Sequence, residues 1–180
     1  RFDTFENTKK LLYGSTPLEA SSSLIEPMYE KGDQRKFHVP CKHCGELQPV
    51  EWERLKYEAN ERGVLIPESV HYECVFCGGH WKNEDKVEFL KTERQGGRAK
   101  WIPTAEPTRA GMRSYHIPVL ISNFRSWQDV CRESLEAGRD PTKLQDFWNL
   151  ALGRSWQATG FTPDYTKIMI RREEYLAFSL

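Results

Sequence analysis

The chain has 180 residues, of which 29% are charged, 38% hydrophobic and 12% aromatic, and its formal net charge is zero. This composition is typical of a globular protein with one sizeable domain or two small ones, and it excludes fibrous and low-complexity chains. No apolar run approaches the roughly 18–20 residues of a membrane span. Neither end resembles a targeting peptide. The zero net charge carries no overall signature of nucleic-acid binding, so any such role must come from local charge.

The first predicted elements are a strand and a helix. Residues 10–13 have the pattern of a short buried strand, which stops at a Gly-Ser-Thr-Pro turn. Ser15 and Thr16 follow this strand, where α/β sheets place their ligands, although an ordinary turn is the simpler interpretation. Residues 18–30 fit a short helix that Pro27 interrupts.

Two Cys-x-x-Cys pairs come next: Cys41 with Cys44, and Cys74 with Cys77, separated by 29 residues. Four thiolates are the ligand set of a closed tetrahedral zinc site, so the sequence predicts structural Zn²⁺ held by these side chains. Similar patterns place roughly 15–20 residues between the pairs. The longer segment here must therefore fold back on itself.

Other chemistries explain the cysteines less well. Disulfides are disfavoured because the cysteine count is five, and disulfide-rich secreted scaffolds are shorter and denser in cysteine. A thioredoxin-like redox site needs one pair on a βαβ frame. His43, His71 and His80 are near enough to replace a cysteine, but with four thiols available we place them around the site or at the surface. Free thiol ligands imply a reducing compartment, hence a cytoplasmic location.

Short strands surround both pairs, and a turn at 60–63 separates two of them. Asn83 is the expected N-cap of a helix over 84–92. Strands around knuckles followed by a helix predict a zinc-ribbon or treble-clef-like module. The predicted strands cover residues 37–39, 47–52, 55–57, 64–66 and 70–73.

Charge is unevenly distributed along the chain. Residues 44–73 carry seven acidic and three basic side chains, whereas residues 91–113 carry six basic and two acidic ones. The basic segment contains a flexible, Gly-rich loop in which Arg94, Arg98 and Lys100 could follow a phosphate backbone. A solvated linker explains this loop equally well. The acidic segment would be repelled by DNA.

Two more strands and a helical hairpin complete the pattern. The strands are expected at 101–103 and 115–120. Ser126 caps the first helix of the hairpin, and Asp140 with Pro141 begins the second, which Gly153 ends. The apolar faces comprise Trp127, Val130, Cys131 and Leu135 in the first helix, and Leu144, Phe147, Trp148, Ala151 and Leu152 in the second. Cys131 is therefore predicted to be a buried core thiol, and a helix-like segment closes the chain at about 167–178.

The order of these features resembles the large subunit of the tailed-bacteriophage DNA-packaging terminase, of the lambda (GpA-like) type. The resemblance runs through nearly the whole chain, and its specificity comes from the combination of motifs. They are 11–17 (LLYGSTP), 37–45 (FHVPCKHCG), 72–78 (YECVFCG), 111–117 (GMRSYHI) and 146–156 (DFWNLALGRSW).

The resemblance implies a piece of a larger motor. Members carry an N-terminal ATPase that uses ATP and Mg²⁺, then a C-terminal RNase H-like endonuclease. Ser15 and Thr16 resemble the family's coupling motif, which senses the γ-phosphate. The implied partners are double-stranded DNA, the terminase small subunit and the portal, with no membrane. A homo-oligomer is compatible with the resemblance, and the implied location is the host-cell cytoplasm.

The expected fold class is α+β: a small zinc-ribbon or treble-clef-like β module inserted next to the end of an α/β sheet of the P-loop ATPase type, then an α-helical hairpin. The domain division follows from this. Its parts are residues 1–36, the end of the ATPase core with the coupling motif; 37–92, the four-cysteine zinc module; 93–118, the basic loop and strands; 119–160, the hairpin connector; and 161–180, a linker toward the nuclease.

The sequence departs from the full family pattern. It has no Gly-x-x-x-x-Gly-Lys-Ser/Thr motif, and it ends before the strand expected to carry the first nuclease aspartate. We therefore expect no catalytic residues, no ATPase activity and no nuclease activity in these 180 residues alone. An alternative is a free-standing zinc-ribbon adaptor that binds nucleic acid or a protein without catalysis. An independent metalloenzyme is disfavoured because four cysteines leave no open coordination position.

Overall fold

The computed structural model describes residues 10–20, 22–138 and 140–157. The fold is α+β. The strands are β1 (Lys36–Pro40), β2 (Leu47–Pro49), β3 (Leu55–Ala59), β4 (Leu65–Glu73), β5 (His80–Trp81) and β6 (Lys100–Ile102). The helices are α1 (Ile25–Lys31), α2 (Lys86–Phe89), α3 (Trp127–Ala137) and α4 (Pro141–Asp146), and α4 continues into a π-helical turn, Phe147–Ala151.

The strands form two antiparallel three-stranded sheets. The first has the order β2-β1-β6, and the second has the order β3-β4-β5. In the first sheet Val39 pairs with Gln48, and in the second Tyr72 pairs with Trp81. The two sheets carry one cysteine pair each, so the position of one sheet against the other decides whether the pairs meet.

The core lies between the second sheet and α3. Tyr72 and Trp81 stack with ring centres 5.1 Å apart, and only 1% of the surface of each residue is exposed. Trp127 of α3 is completely buried, and its ring lies 5.7 Å from Tyr72 and 5.6 Å from Phe89. These four aromatic side chains pack against one another and contribute to the apolar stabilisation of this region.

The predicted helical hairpin is confirmed, including both of its N-caps. The Ser126 hydroxyl accepts a hydrogen bond from the backbone N–H of Asp129 at 3.1 Å. The Asp140 carboxylate accepts one from the N–H of Thr142 at 2.9 Å. Cys131 is completely buried in this hairpin, and desolvation raises its pKa to about 12, as expected of a core thiol.

Two predicted strands are wrong. Residues 10–13 are irregular, and Leu12 is 97% exposed, because no neighbouring strand pairs with this segment among the described residues. Residues 115–120 form only an isolated bridge between Arg35 and Tyr115 before a 3₁₀ turn, Val119–Ile121. Pro118 has no N–H to donate to a neighbouring strand, which accounts for the end of pairing there.

The helices before and after the cysteine pairs are shorter than predicted. The first covers only Ile25–Lys31, with Pro27 in its first turn, where the missing N–H has little cost. Asn83 does not cap α2; its side chain accepts a hydrogen bond from the backbone N–H of Trp127 at 2.8 Å. It therefore serves the start of α3, a contact 44 residues away that local sequence cannot reveal.

The predicted segment at 167–178 and the proposed linker 161–180 lie outside the described residues. Within the described ranges, every helix is too short or too polar to cross a lipid bilayer.

Candidate metal centre

The structure brings the four predicted cysteines together. Their sulfur atoms all lie within 4.8 Å of one another. The Sγ atoms of Cys41 and Cys77 are 3.7 Å apart, and those of Cys44 and Cys74 are 3.9 Å apart. A tetrahedral site with Zn–S bonds of about 2.3 Å has sulfur–sulfur edges of about 3.8 Å. The two measured edges match this value, so the cluster has the dimensions of a four-thiolate zinc site.

Each cysteine pair is held in the same tight turn. Gly45 donates its N–H to the carbonyl of Cys41 at 2.9 Å, and Gly78 donates to Cys74 at 3.0 Å. Both glycines have the left-handed backbone conformation, with φ of 75° and 67°. A side chain at either position would strain the backbone, which explains why glycine follows each pair by one residue.

The β3–β4 hairpin solves the problem of the long separation between the pairs. The chain leaves the first pair through β2, runs out along β3 and returns along β4 to the second pair. At the hairpin tip the Asn60 side chain accepts hydrogen bonds from the backbone N–H groups of Arg62 and Val64, both at 3.0 Å. The segment therefore does fold back on itself, as predicted.

Backbone N–H groups surround the first sulfur of the first pair. The Cys41 sulfur accepts hydrogen bonds from the N–H of His43 at 3.3 Å and of Cys44 at 3.5 Å. Burial opposes ionisation of Cys41, but the N–H groups of Cys44 and His43 outweigh it and lower its pKa to about 6. For Cys44, the hydrogen bond with Glu46 lowers the pKa, but desolvation and the adjacent thiols raise it to about 12.

The second pair repeats this arrangement. The Cys74 sulfur accepts hydrogen bonds from the N–H of Phe76 at 3.4 Å and from Gln48 at 3.2 Å. Burial again raises the pKa of Cys74, and the N–H groups of Cys77 and Phe76 bring it below its ordinary value. Each pair thus has one buried sulfur favoured as thiolate and one exposed thiol, and a divalent cation would bind all four as thiolates.

Gln48 is a residue of the site that sequence reasoning missed. Its side chain is 1% exposed; Nε2 donates to the sulfur of Cys74, and Oε1 accepts from the N–H of Val75 at 2.8 Å. It therefore joins β2 of the first sheet to the second cysteine pair. Hydrogen bonds to ligating atoms of this kind orient metal ligands. No sequence signal distinguishes a buried Gln in a three-residue strand from an exposed one.

The three nearby histidines lie outside the sulfur cluster among the described residues. The Nε2 of His43 is 3.1 Å from the backbone carbonyl of His80. A Cβ on Gly79 would lie 2.5 Å from the His43 ring, so the absence of a side chain at Gly79 lets that ring pack closely. The ring centres of His71 and His80 are 4.2 Å apart.

Two of the predicted DNA-binding residues, Arg94 and Arg98, lie on a tight turn next to the first cysteine pair, and Lys100 is the first residue of β6. Arg94, Arg98 and Lys100 are all exposed. Hydrogen bonds close this loop: Ala99 donates to the carbonyl of Lys91 at 3.0 Å, and a Cβ on Gly97 would lie 2.0 Å from that carbonyl oxygen. A guanidinium nitrogen of Arg98 would lie 3.5 Å from a Cβ on Gly45 of the first knuckle. The predicted coupling residues Ser15 and Thr16 are exposed, away from any regular element.

The fold and site define a class: an α+β segment in which a four-cysteine cluster joins two small sheets beside a helical hairpin. Comparison with known families identifies it further. The family described as phage terminase large subunit gpA, ATPase domain, matches residues 1–101. The terminase large subunit gpA endonuclease domain matches residues 112–180. The chain therefore belongs to the phage terminase large subunit gpA family, which confirms the resemblance found in the sequence.

Two curated relatives are similar over most of this chain. The terminase large subunit of Enterobacteria phage P21 is 28% identical, with 93% of this chain and 28% of that protein covered. The terminase large subunit of Escherichia phage lambda is 25% identical, with the same coverage of 93% and 28%. The chain thus spans about 28% of the length of these relatives. No solved structure matches it.

Proposed function

We propose that this chain is a segment of a DNA-packaging terminase large subunit, in which a structural Zn²⁺ fixes the junction between the motor and the nuclease. The observation that carries the proposal is the sulfur spacing of 3.7 and 3.9 Å between the two cysteine pairs. The second sheet, which carries one of these pairs, also packs against the helical hairpin. The cysteines and both sheets, apart from Ile102 at the end of β6, fall within the ATPase-family match, and the hairpin falls within the endonuclease match.

Several specific contacts cross this junction. Besides the aromatic core, the Lys86 ammonium donates to the backbone carbonyl of Arg125 at 2.8 Å, and burial lowers the pKa of Lys86 to about 8. The hydroxyls of Tyr57 and Ser134 lie 3.3 Å apart. Because these contacts come from both strands and helices, the zinc module and the hairpin would move together.

One ion pair also crosses the junction. Arg154 makes a bidentate pair with Glu53, in which the second guanidinium nitrogen lies 3.1 Å from Oε2. Its guanidinium also lies 5.9 Å from the centre of the Trp148 ring. Within residues 10–157, where described, this is the one ion pair between the two family-matched parts. This bidentate pair helps to fix the orientation of the hairpin relative to the β strands, in addition to the apolar contact.

The longer protein supplies the remaining parts of the proposal. Its ATPase would use ATP and Mg²⁺ to drive DNA translocation, its nuclease would cut the genome, and Ser15 and Thr16 would couple hydrolysis to movement. We propose duplex DNA, the small subunit and the portal as partners in the host cytoplasm. The division proposed from the sequence, with a zinc module at 37–92 and a connector at 119–160, is consistent with the contacts of the second sheet with α3.

Duplex DNA contact is proposed for Arg94, Arg98 and Lys100. All three are exposed, and none forms an ion pair with another described residue. A hydrogen-bonded turn and the start of β6 carry these side chains, which lowers the entropy cost of binding a phosphate chain. A packaging motor must accept any sequence, so phosphate contact without base reading suits this role.

Metal content tests the central proposal. Protein purified under reducing conditions without added metal should contain one zinc per chain by inductively coupled plasma mass spectrometry. X-ray absorption should then show sulfur neighbours only, at about 2.3 Å. A folded, reduced protein that contains no stoichiometric metal would overturn the proposal.

A further inference from the structure

A cleft of about 590 Å³ lies on the outer face of the second sheet. Tyr72 and Trp81 pair on the buried face, so the flanking residues His71 on β4 and His80 on β5 project to the opposite side. Both histidines line this cleft. The two imidazoles therefore come from adjacent strands of one rigid sheet.

The two imidazole rings lie close enough to bind one ion. Their ring centres are 4.2 Å apart and their planes differ by 34°. Two imidazoles bound to one ion, with metal–nitrogen bonds of about 2.0–2.1 Å, have ring centres about 4.5 Å apart when the bonds are at right angles, and about 5.2 Å apart around a tetrahedral ion. His80 is exposed, so its ring can turn toward this arrangement on binding.

His71 is already oriented for coordination. Its Nδ1 lies 2.6 Å from the backbone carbonyl of Ser69, which can only accept a hydrogen bond, so Nδ1 carries the proton. The lone pair is then on Nε2. Metal-binding histidines commonly donate their other ring N–H to a backbone carbonyl in this way.

The charge of the cleft also favours a cation. Four carboxylates line it against two lysines. The Asp85 carboxylate forms an ion pair with the Lys42 ammonium at 2.5 Å and accepts a hydrogen bond from the backbone N–H of Lys82 at 2.9 Å. The exposed carboxylates of Glu58 and Glu68 form no ion pair with the described residues, so they are available as oxygen ligands.

We propose that His71 and His80 bind a second divalent transition-metal ion, such as Zn²⁺ or Ni²⁺, with Glu58 or Glu68 as a further ligand. Imidazole with carboxylate suits these borderline ions. This site is separate from the sulfur cluster, which contains cysteines alone among the described residues. It would be weaker and exchangeable, because its carboxylates must move into place, and it does not depend on the identity of the metal bound by the cysteines.

The experiment is a titration of the full chain, carrying the metal with which it was purified, with ZnCl₂ and separately with NiCl₂. Isothermal calorimetry should show one additional equivalent per chain. His71→Ala and His80→Ala should each abolish that equivalent, and the double variant Glu58→Gln with Glu68→Gln should weaken it. Imidazole nitrogen spectra should show shifts at His71 and His80 with ZnCl₂.

His38→Ala is the matched control. The Nδ1 of His38 also contacts the carbonyl two residues before it, Lys36, at 3.0 Å, but this histidine does not line the cleft. The control should keep the additional equivalent. If wild type binds no additional ion, or if His38→Ala loses it as fully as His71→Ala, the proposal is wrong. If the purified protein instead contains no metal, yet still binds the titrated ion through His71 and His80, the result contradicts the four-cysteine zinc site and not this second site.

Discussion

The β module of residues 36–102 and the helical hairpin of residues 127–157 are stabilised by different means. The hairpin buries a continuous set of apolar side chains, among them Trp127, Val130, Phe147 and Leu152. The first sheet of the module has strands of three to five residues, and its contacts with the second sheet include the four sulfurs, the Gln48 side chain and a hydrogen bond from the Tyr72 hydroxyl to the Pro49 carbonyl at 3.0 Å. A metal can therefore add to a small apolar core where the strands are short.

Removing the metal should have the largest effect. A structural four-cysteine zinc contributes about 10–16 kcal/mol of apparent binding free energy, which is comparable to the whole stability of a domain at about 5–15 kcal/mol. Cys74→Ser should therefore unfold the module, as measured by loss of amide protection, first in β1, β2 and β6. Cys131→Ala is the control, since it removes a thiol from the hairpin and should keep the metal. A thermal melt of Cys74→Ser that matches wild type would contradict this account.

Removing the main aromatic anchor should have the next largest effect. Trp127→Ala deletes a completely buried ring between the module and the hairpin, and such deletions cost about 3–5 kcal/mol. The expected outcome is a lower melting temperature with the metal still bound. Trp148→Ala, at a half-buried position, should cost less. If Trp127→Ala released the metal, the two regions would not be stabilised separately.

Gln48→Ala tests the polar link between the sheets. It leaves the Val75 N–H without a partner and removes one hydrogen bond to the Cys74 sulfur. Val75 is 46% exposed, so water can replace its partner, and we expect a cost of about 0.5–1.5 kcal/mol for each lost hydrogen bond. We expect a lower free energy of unfolding and faster release of zinc to a chelator. Gln157→Ala, at an exposed position, should change neither quantity.

The ion pair across the junction should have a small, pH-dependent effect. The hydrogen bond with Arg154 lowers the pKa of Glu53, so its stabilisation is present above the ordinary carboxyl value of 4.5 and is lost as the pH falls through the lowered pKa. Because Glu53 is 56% exposed, solvent screening limits the pair to about 0.2–1 kcal/mol. Arg154→Met should lower stability at pH 7 by this amount and have little effect at a pH below the lowered pKa of Glu53. An equal loss at both pH values would assign the effect to packing on Trp148.

The basic turn should affect DNA binding without affecting folding. Changing Arg94, Arg98 and Lys100 to Ala should reduce affinity for duplex DNA and flatten its salt dependence, because fewer counterions are released. The melting temperature should stay unchanged, since all three are exposed. The control changes three other exposed lysines, Lys56, Lys82 and Lys143. An unchanged salt slope would contradict DNA contact at this turn.

Local chemistry could be predicted from the sequence, and long-range partners could not. The cysteine turns and the caps at Ser126 and Asp140 were predictable because each depends on residues within three or four positions. Gln48 and Asn83 were missed or misassigned because their partners lie 26 and 44 residues away. The strand at 10–13 was wrong for the same reason, since a strand needs a neighbour that an apolar run does not specify.

The outer end of the β3–β4 hairpin offers a practical opening. Residues 60–63 close the hairpin through the Asn60 side chain, on the far side of strands that lead back to the sulfurs. Exposed loop tips tolerate inserted chain well. A fluorophore-bearing peptide or a short affinity tag placed there would report on this junction inside an assembled packaging machine while leaving the ligands of the ion undisturbed.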